Sequence, residues 1–434
     1  MDSLLQKIRD RKAVAGVIGV GYVGLPLCME MAKAGFSVIG FDVDERKVRG
    51  LNEGRSHIGD VPDKEVAAFV KEGLFKATND FSELRHVDVV SICVPTPLNK
   101  TKDPDISYVI RAAEDVASQL HPGMLIILES TTYPGTTHDL VLPILQRTGL
   151  KVGQDFFLAF SPERVDPGQV KYTIKNTPKV IGGVTPTCTE ISAIMYSAFI
   201  EHVVPVSTTQ VAETVKLLEN TFRAVNIGLV NEIAIICKKL KMDVWEVIDA
   251  AATKPFGFMP FYPGPGLGGH CLPIDPLYLS WLLKSLNYNA RFIELASDIN
   301  GSMPDFVVNI IGEALNDQRK SFNGSKVLLL GVAYKRDISD MRESPALDIM
   351  AELRHKKTHV SYHDPYVPEL MVDGRTYQST PIDDRHLEDY DCVVICTDHR
   401  CFDYQDIVNR SQIIVDTRNA TRTIVHGREK IRKL

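Results

Sequence analysis

Long hydrophobic runs and clusters of basic residues are both missing from this sequence. The longest apolar stretches, such as KVLLLGVAY at 326–334, are far shorter than the roughly 18 residues of a membrane-spanning helix. The opening segment, MDSLLQKIRDRK, is too polar for a secretion signal. Lys and Arg are scattered and the formal net charge is −6, which argues against a general nucleic-acid binder. The sequence therefore predicts a cytosolic protein whose partners include neither a membrane nor a nucleic acid.

Cysteine is too sparse for a disulfide framework, with eight residues in a chain of 434, and we expect free thiols. The only close pair, Cys392 and Cys396, lies in an apolar run that is typical of a buried strand. No His/Cys group has zinc-ligand spacing, so no metal site is predicted. The remaining composition, 44% hydrophobic and 24% charged, is ordinary for a globular protein.

Strand-like and helix-like patterns alternate in two regions and predict an α/β fold. Residues 13–44 have the pattern of a strand, a tight turn, a helix and a second strand. Further strand signals follow at 87–95, 124–131, 156–163 and 178–184, and again at 325–335, 358–365, 390–398 and 412–419. Such alternation predicts a parallel sheet covered by helices on both faces in each region.

Between these regions, apolar residues recur at helical spacing from about 209 to 240, which predicts one helix of roughly 45 Å and then a shorter one. The predicted architecture is two Rossmann-like doubly wound domains joined by a long central helix and a small all-α middle domain. The predicted boundaries are 1–208, 209–300 and 301–434. The exposed face of the long helix could carry a dimer interface.

A G-x-G-x-x-G turn lies between the first strand and the first helix. It contains Gly19, Gly21 and Gly24, with Tyr22 and Val23 between the last two glycines. The first glycine permits the tight turn, the second lets a pyrophosphate approach the backbone, and the third lets helix and strand pack closely. Asp42 ends the next strand, where a carboxylate accepts hydrogen bonds from an adenosine ribose and repels a 2′-phosphate. These features favour NAD binding over a plain packing turn, and NAD over NADP.

Three further loops follow predicted strands. CVPTP at 93–97 includes Thr96, ESTTYPGTT at 129–137 includes Thr131, and SPERVDPG at 161–168 carries the charges of Glu163 and Arg164. Glu163 could be a general base or could position a water molecule. A turn with a surface salt bridge explains the same pattern equally well.

Two polar residues, Lys216 and Asn220, lie four positions apart on the predicted long helix and hence on one face. They could form a solvated stripe, or a pair of donors directed at a developing oxyanion.

The segment GPGLGGHCLPIDP at 264–276 places Cys271 after a glycine-rich stretch. We expect Gly266, Gly268 and Gly269 to allow a bulky ligand close to the backbone and to expose the thiol. Asp275 is expected near the start of the following helix, whose N-terminus would favour a thiolate. A thiol that attacks carbonyls, together with NAD, suggests aldehyde oxidation through a thioester. A structural cysteine in a glycine-rich turn is the alternative.

Taken in order, these motifs, with AETVKLLENTFRAVNIGLVNE, GVAYK and DMRESPA, identify a resemblance to the UDP-glucose/GDP-mannose dehydrogenase family. GFMPFYPGPGLGGHC and SPERVDPG most resemble bacterial UDP-N-acetylglucosamine 6-dehydrogenases of polysaccharide synthesis. The resemblance implies a homodimer or higher homo-oligomer that oxidises the primary alcohol of a UDP-sugar to a carboxylate with two NAD.

The resemblance also implies residue roles. Cys271 would form a thiohemiacetal and then a thioester, with Lys216 and Asn220 stabilising the oxyanion and Asp275 assisting proton transfer. Glu163 and Thr131 would order the hydrolytic water. Four residues would contact the cofactor besides the glycine turn and Thr96: Asp42, Lys47, Thr131 and Arg342. The loop from Tyr262 to Gly268 would hold the UDP-sugar together with Tyr334, Lys335 and Arg418. Arg164 would also contact the substrate, as would Glu163, Lys216 and Asn220.

The sequence departs from UDP-glucose dehydrogenases at two points. Their second Glu, four residues after the first, is Pro167 here, and their Arg upstream of the cysteine loop is missing from KPFGFMPFY. Both departures favour an N-acetylated sugar. UDP-N-acetylglucosamine is the first choice, with UDP-N-acetylmannosamine or UDP-glucose as alternative substrates. A UDP-sugar-binding protein without turnover and a single-step NAD oxidoreductase are the alternative classes.

Overall fold

The computed structural model describes residues 2–99, 103–165, 171–269, 271–372, 374–382 and 387–434. The chain forms two compact units, 1–219 and 220–434, whose boundary falls inside the long helix α8 (Thr209–Leu240). The bounds of this helix are those predicted from the sequence, whereas the three-part division at 208 and 300 stays a prediction. Within the described residues, no helix combines the length and the apolar character needed to cross a membrane.

The first unit is built on a sheet of eight strands. In chain order these are β1 (Val14–Ile18), β2 (Ser37–Phe41), β3 (Phe75–Thr78), β4 (Val89–Ile92), β5 (Leu125–Leu128), β6 (Phe157–Phe160), β7 (Lys179–Gly183) and β8 (Val203–Val206). The helices are α1 (Asp2–Arg9), α2 (Gly24–Lys33), α3 (Glu45–Asn52), α4 (Asp63–Lys71), α5 (Ser107–Gln119), α6 (Leu142–Gln146), α7 (Pro186–Tyr196) and the first part of α8; a 3-10 helix (Phe81–His86) and a π-helix (Thr136–Val141) complete the unit.

The strand order is β3-β2-β1-β4-β5-β6-β7-β8. Strands β1 to β6 are parallel, as predicted, but β7 pairs antiparallel with β6, with Ala159 opposite Gly183 and Phe160 opposite Gly182. The prediction of an entirely parallel sheet is therefore wrong for β7 and for β8, which runs parallel to β7. As a result, the first residue of β7 lies at the edge where β5 and β6 end.

Both faces of this sheet are covered, which explains the continuous apolar runs of its central strands. In β5, Leu125 and Ile127 join the core cluster on one face, and Ile126 and Leu128 join the cluster on the other. Residues that follow these strands emerge at one edge of a rigid, dehydrated sheet.

The second unit contains a smaller, fully parallel sheet with strand order β10-β9-β13-β14-β15. Its strands are β9 (Lys326–Leu330), β10 (His359–His363), β13 (Cys392–Ile395), β14 (Ile414–Asp416) and β15 (Ile431–Lys433), beside an antiparallel pair, β11 (Glu369–Val372) and β12 (Arg375–Gln378). The helices are α9 (Val244–Ala252), α10 (Cys271–Ser285), α11 (Arg291–Asp317), α12 (Pro345–His355) and α13 (Tyr404–Arg410), with 3-10 turns at Leu387–Asp389 and Arg428–Lys430. None of the eight cysteines, all of which lie in the described residues, forms a disulfide, and Cys392 and Cys396 are buried as predicted.

A buried carboxyl group connects α8 to the loop that follows β5. Glu213 is fully buried and accepts hydrogen bonds from the amides of Gly135 (2.6 Å) and Thr137 (2.9 Å) and from the Thr137 hydroxyl (2.6 Å). Burial raises the pKa of Glu213 to about 7, although these donors oppose the shift. The contact fixes the start of the π-helix against α8.

The raised pKa of Glu213 predicts a pH-dependent contribution to stability. Because the folded-state pKa exceeds the unfolded value of about 4.3, stability is fully present below that value and is lost as the pH rises through about 7. We expect the Glu213→Gln variant to lack this decline, which is on the order of 3 kcal/mol. Thermal unfolding of both proteins between pH 5 and pH 8.5 measures it, and parallel curves would contradict the prediction.

Candidate functional site

The predicted dinucleotide turn lies where the strand order of the first sheet reverses. Strand β1 pairs with β2 on one side and with β4 on the other, so ligand crevices open beyond its carboxyl end. Gly19 has a φ of +90°, and a Cβ there would lie 2.6 Å from the carbonyl oxygen of Cys93. A Cβ on Gly24 would lie 1.9 Å from the oxygen of Gly19. The turn and the loop after β4 are thus packed backbone to backbone.

The middle of the turn is open. Apart from its two chain neighbours, no atom of the described residues lies within 4 Å of the position that a Cβ of Gly21 would take, and Val23 at the start of α2 supplies no side-chain cap. Tyr22 is half exposed and Thr96 is buried. A pyrophosphate can therefore reach the bare backbone at the amino end of α2, where the helix potential is positive.

Asp42 follows β2 and is buried. One carboxylate oxygen accepts from the amide of Val20 (3.3 Å) and lies 3.5 Å from Lys47 Nζ, and the other accepts from the amide of Asp44 (3.0 Å). The structure thus places the two predicted ribose contacts side by side. An open glycine turn with an adjacent carboxylate fits NAD, whose ring accepts a hydride when bound.

The loops after β4 and β5 are tied to each other. The Ser130 hydroxyl donates to the carbonyl oxygens of Ile92 (3.2 Å) and Val94 (2.8 Å). Thr131 follows and is partly exposed, so this residue lies at the carboxyl edge of the sheet, as predicted.

Glu163 follows β6 and is held by several donors. Its Oε1 accepts from the amides of Arg164 (2.8 Å) and Val165 (2.7 Å), and its Oε2 accepts from Lys179 Nζ (3.3 Å). Burial acts to raise the pKa of Glu163, but the charges of Lys179 and Lys216 and the amide of Val165 outweigh it and lower the pKa. Glu163 is therefore a carboxylate in a partly desolvated position.

Two other predicted residues of the first unit, Lys216 and Arg164, have different surroundings. Lys216, on α8, is buried and close enough to Glu163 for its charge to act there, so the solvated stripe is wrong for this residue. The Arg164 guanidinium donates to both carboxylate oxygens of Glu219 (2.5 and 3.3 Å) and to the carbonyl of Pro178 (2.6 Å). Pro167 lies outside the described residues.

The second unit presents the candidate nucleophile. Cys271 is exposed and is the first residue of α10, which therefore begins earlier than the predicted start near Asp275. Asp275 lies one turn further along the same helix and is buried. The Asn220 side-chain amide donates to its Oδ2 at 2.5 Å. The thiol thus lies at a helix N-terminus, which favours a thiolate.

The glycines before Cys271 pack closely against the protein's own chain. A Cβ on Gly268 would lie 2.5 Å from the Cβ of Tyr334, and one on Gly269 would lie 2.9 Å from the ring of Tyr334. A Cβ on Gly266, at φ +138°, would approach Pro345 at 3.1 Å. The close approach seen here is to the protein's own chain, and the contact of this loop with a ligand stays a prediction.

The other predicted substrate contacts of the second unit lie around this loop. Arg418 follows β14, donates to the carbonyl of Cys396 (2.9 Å), and has a guanidinium nitrogen 2.5 Å from where a Cβ of Gly264 would be. Tyr262 stacks on Trp245 and donates to Asp249 (2.9 Å). Arg342 pairs with Asp340 (2.7 Å), and Lys335, next to Tyr334, is partly exposed.

Sequence reasoning missed two sets of residues. Asn231 accepts from the amide of Gly264 (2.9 Å) and donates to Asn300 (2.8 Å), which donates to the carbonyl of Ala224 (3.1 Å). This buried amide pair anchors the glycine-rich loop to α8 and α11. The other set surrounds Lys179. The only sequence signal for either was a polar residue inside an apolar pattern.

A dinucleotide turn on one sheet, an acid after the next strand and a second α/β sheet define the class: a dehydrogenase with an NAD-binding domain. Sequence profiles of the UDP-glucose/GDP-mannose dehydrogenase family match the NAD binding domain at 13–200, the central domain at 210–302 and the UDP binding domain at 328–423. The chain belongs to this family and is a UDP-sugar dehydrogenase that uses NAD.

Individual relatives agree with this assignment. A UDP-N-acetyl-D-mannosamine dehydrogenase of Pyrococcus horikoshii is 36% identical over 93% of this chain and 94% of its own length. A UDP-N-acetyl-D-glucosamine 6-dehydrogenase of Pseudomonas aeruginosa is 34% identical over 89% and 90%. Among solved structures, the UDP-D-ManNAc dehydrogenase of Pyrococcus horikoshii superposes with a TM-score of 0.88 at 34% identity, covering 97% of this chain and 98% of that one. Cap5O, a UDP-N-acetyl-mannosamine dehydrogenase of Staphylococcus aureus, gives 0.83 at 32% identity, covering 97% of each.

The packing of the glycine-rich loop predicts opposite effects for two glycine substitutions. Gly268→Ala should destabilise the protein by on the order of 1–3 kcal/mol because the added methyl overlaps Tyr334. Gly301→Ala, on the exposed face of α11 with open space around it, should stabilise by about 0.5–1 kcal/mol. Thermal unfolding compares them, and a Gly268→Ala variant as stable as wild type would refute the packing argument.

Proposed function

We propose that the protein oxidises C6 of a UDP-N-acetylhexosamine, with UDP-N-acetylglucosamine as first choice, to the uronic acid in two hydride transfers to NAD. The observation that carries the proposal is the exposed Cys271 thiol at the start of α10, with the Asn220–Asp275 hydrogen bond one turn away. A single-step oxidoreductase or a binding protein would leave this arrangement without a use.

The chemistry requires a covalent step because an alcohol becomes an acid only after losing two hydrides. The first transfer gives an aldehyde, NADH and a proton. The Cys271 sulfur then bonds to the aldehyde carbon to form a thiohemiacetal, which holds the substrate while the spent cofactor is exchanged. The second transfer gives a thioester, a second NADH and a second proton. Water cleaves the carbon–sulfur bond, returning the thiol and releasing the carboxylate and a proton.

The remaining residues take roles suited to their surroundings. Asp275, buried beside Asn220, would accept and return the thiol proton. Lys216 and Asn220 would stabilise the oxyanion of the thiohemiacetal and of the hydrolysis step. Glu163, a carboxylate with amide and ammonium donors, would orient the water together with Thr131. Arg342 would reach the cofactor. The loop from Tyr262 to Gly268, with Tyr334, Lys335 and Arg418, would hold the UDP-sugar, as predicted from the sequence.

The choice of sugar depends on the loops that differ from UDP-glucose dehydrogenases. The segment 254–262 carries exposed apolar side chains, with Phe256 71% and Met259 63% exposed, and no arginine. The two named classes of relatives at 34–36% identity both act, by their names, on N-acetylated sugars. The mannosamine epimer is the second candidate, because the relative at 36% identity bears that name.

The test is a substrate panel with purified protein and NAD. UDP-N-acetylglucosamine, UDP-N-acetylmannosamine, UDP-N-acetylgalactosamine and UDP-glucose are each supplied in limiting amount, and NADH is counted by absorbance. We expect two NADH per sugar and the highest kcat/KM with UDP-N-acetylglucosamine. One NADH per sugar would exclude the thioester route, and no NADH with any sugar would exclude catalysis.

Replacing the nucleophile gives a second arm of the same test. Cys271→Ser should reduce net turnover by on the order of 10³-fold or more and should still bind NAD, as measured by calorimetry. Cys401→Ser, which changes the other exposed cysteine, is the matched control and should retain wild-type turnover. Full activity of Cys271→Ser would rule out covalent catalysis.

The proposed macromolecular partner is a second copy of this chain. Exposed apolar side chains recur along α8 near one helical face, at Phe222, Leu229, Ile236 and Leu240. A stripe of this kind on a helix is typical of an interface.

Charging this stripe should weaken the association. Leu229→Glu, which puts a carboxylate at the centre of the stripe, is expected to shift the protein from dimer towards monomer in light scattering after gel filtration. Arg223→Glu introduces the same side chain at an exposed position elsewhere on α8 and should leave the mass unchanged. A monomeric wild-type protein would disprove the assignment of this surface.

A further inference from the structure

A buried ammonium group lies between two carboxylates in the first unit. Lys179 Nζ donates to Glu129 Oε2 at 2.6 Å and to Glu163 Oε2 at 3.3 Å. The side chain of Lys179 is 4% exposed and that of Glu129 is fully buried. The hydroxyl of Tyr196, also fully buried, donates to the other oxygen of Glu129. We call these four residues the Lys179 network.

The strand directions explain why the network forms. Glu129 directly follows β5 and Glu163 lies just beyond β6. Because β7 is antiparallel to β6, with Phe160 opposite Gly182, continuing the register places 179 opposite 163. A cation at the first position of β7 therefore points into the edge where the two carboxylates emerge.

We propose that Lys179 is a positioning residue that keeps Glu163 ionised and fixes its orientation for the hydrolytic step, an inference that rests on the function proposed above. Oε2 of Glu163 is directed by Lys179 and Oε1 by two backbone amides. A carboxylate has about four lone-pair positions, so an acceptor position remains for a water molecule. Glu129 bonds Lys179, and Tyr196 bonds Glu129, so these two residues hold Lys179 in place.

The charges around Glu163 agree with this role. Burial alone would raise the pKa of Glu163, and the Lys179 charge is the largest of the effects that lower it. Glu129 and Glu163 together raise the pKa of Lys179 against its own burial, so the ammonium stays charged. Two further titratable groups, Lys216 on α8 and the Cys93 thiol after β4, lie close enough to affect the pKa of Glu163 and of Lys179, respectively.

The experiment compares pH profiles of kcat for wild type and Lys179→Met. Without the ammonium, the pKa of Glu163 should rise, so kcat should fall on the order of 10²-fold at pH 7 and recover as the pH increases. The first two NADH per active site should still form in a rapid burst, because the variant slows only the hydrolysis of the thioester. Lys179→Arg, which keeps the charge, should restore the wild-type profile. A Lys179→Met profile with the wild-type midpoint would overturn the inference.

Two further variants separate positioning from general damage. Lys33→Met removes an ammonium that also bridges two glutamates, Glu30 and Glu65, but on the surface, and its pH profile should match wild type. Glu129→Gln/Lys179→Met buries one carboxylate fewer than Lys179→Met and is used if the single variant does not fold. It should show the same displaced profile, because Glu163 still lacks its cation.

A stability measurement tests the same charges without turnover. In wild type the lowered pKa of Glu163 keeps its stabilising contribution above pH 5, whereas in Lys179→Met raised carboxylate pKa values make stability fall as the pH rises. The Tm difference between the two proteins should therefore widen from pH 5 to pH 8.5. If no UDP-sugar yields NADH, the proposed function is wrong. In that case the Tm difference alone tests whether Lys179 keeps Glu163 ionised. A constant difference overturns the Lys179 inference.

Discussion

The cost of burying charge determines how the first unit is arranged at the carboxyl edge of its sheet. An isolated ion loses several kcal/mol when it leaves water, yet Glu129, Lys179 and most of Glu163 are buried there. The arrangement is tolerated because each charge faces an opposite charge or a hydrogen-bond donor at close range. The requirement for mutual pairing links four segments, the ends of β5 and β6, the start of β7 and the end of α7.

This pairing also limits what Glu163 can do chemically. A carboxyl group that acts as a general acid needs a raised pKa, and here Lys179, Lys216 and the amide of Val165 lower the pKa of Glu163. Glu163 is thus suited to accepting a hydrogen bond from water. Glu213 is a buried acid with the opposite tendency, because its pKa is raised to about 7, and its hydrogen bonds hold the loop after β5.

Much of the fold could be predicted from the sequence because its signals are local. The glycine turn, the acid after β2 and the full length of α8 follow from spacing within a short window. The antiparallel β7 could not be predicted in this way, since its direction depends on pairing with β6. Lys179 therefore looked like an ordinary strand residue until its register opposite Glu163 was known.

The candidate site was predictable in part for the same reason. Cys271 and Asp275 stand out by type and spacing, but the packing of the preceding glycines depends on Tyr334, more than 60 positions away in the chain. Asn231 and Asn300 are likewise distant in sequence and meet only when α8 and α11 pack.

The glycine-rich loop and the Lys179 network each restrict a candidate functional side chain, the first by packing and the second by charge. A nucleophile or a base acts efficiently only when it is held in one rotamer and in one protonation state. Around Cys271 this is achieved by steric contact, because Tyr334 and Pro345 fill the space next to the loop glycines and Asn231 bonds the backbone at Gly264. Around Glu163 it is achieved by charge, because a carboxylate bonded at both oxygens cannot rotate without losing donors and the nearby ammonium groups disfavour its protonation. In the proposed mechanism, steric fixation of the loop positions the Cys271 thiol to form and break a bond to carbon, whereas electrostatic fixation keeps Glu163 ionised. The two modes of support thus match the two kinds of chemistry assigned to these residues, covalent attack and the ordering of water.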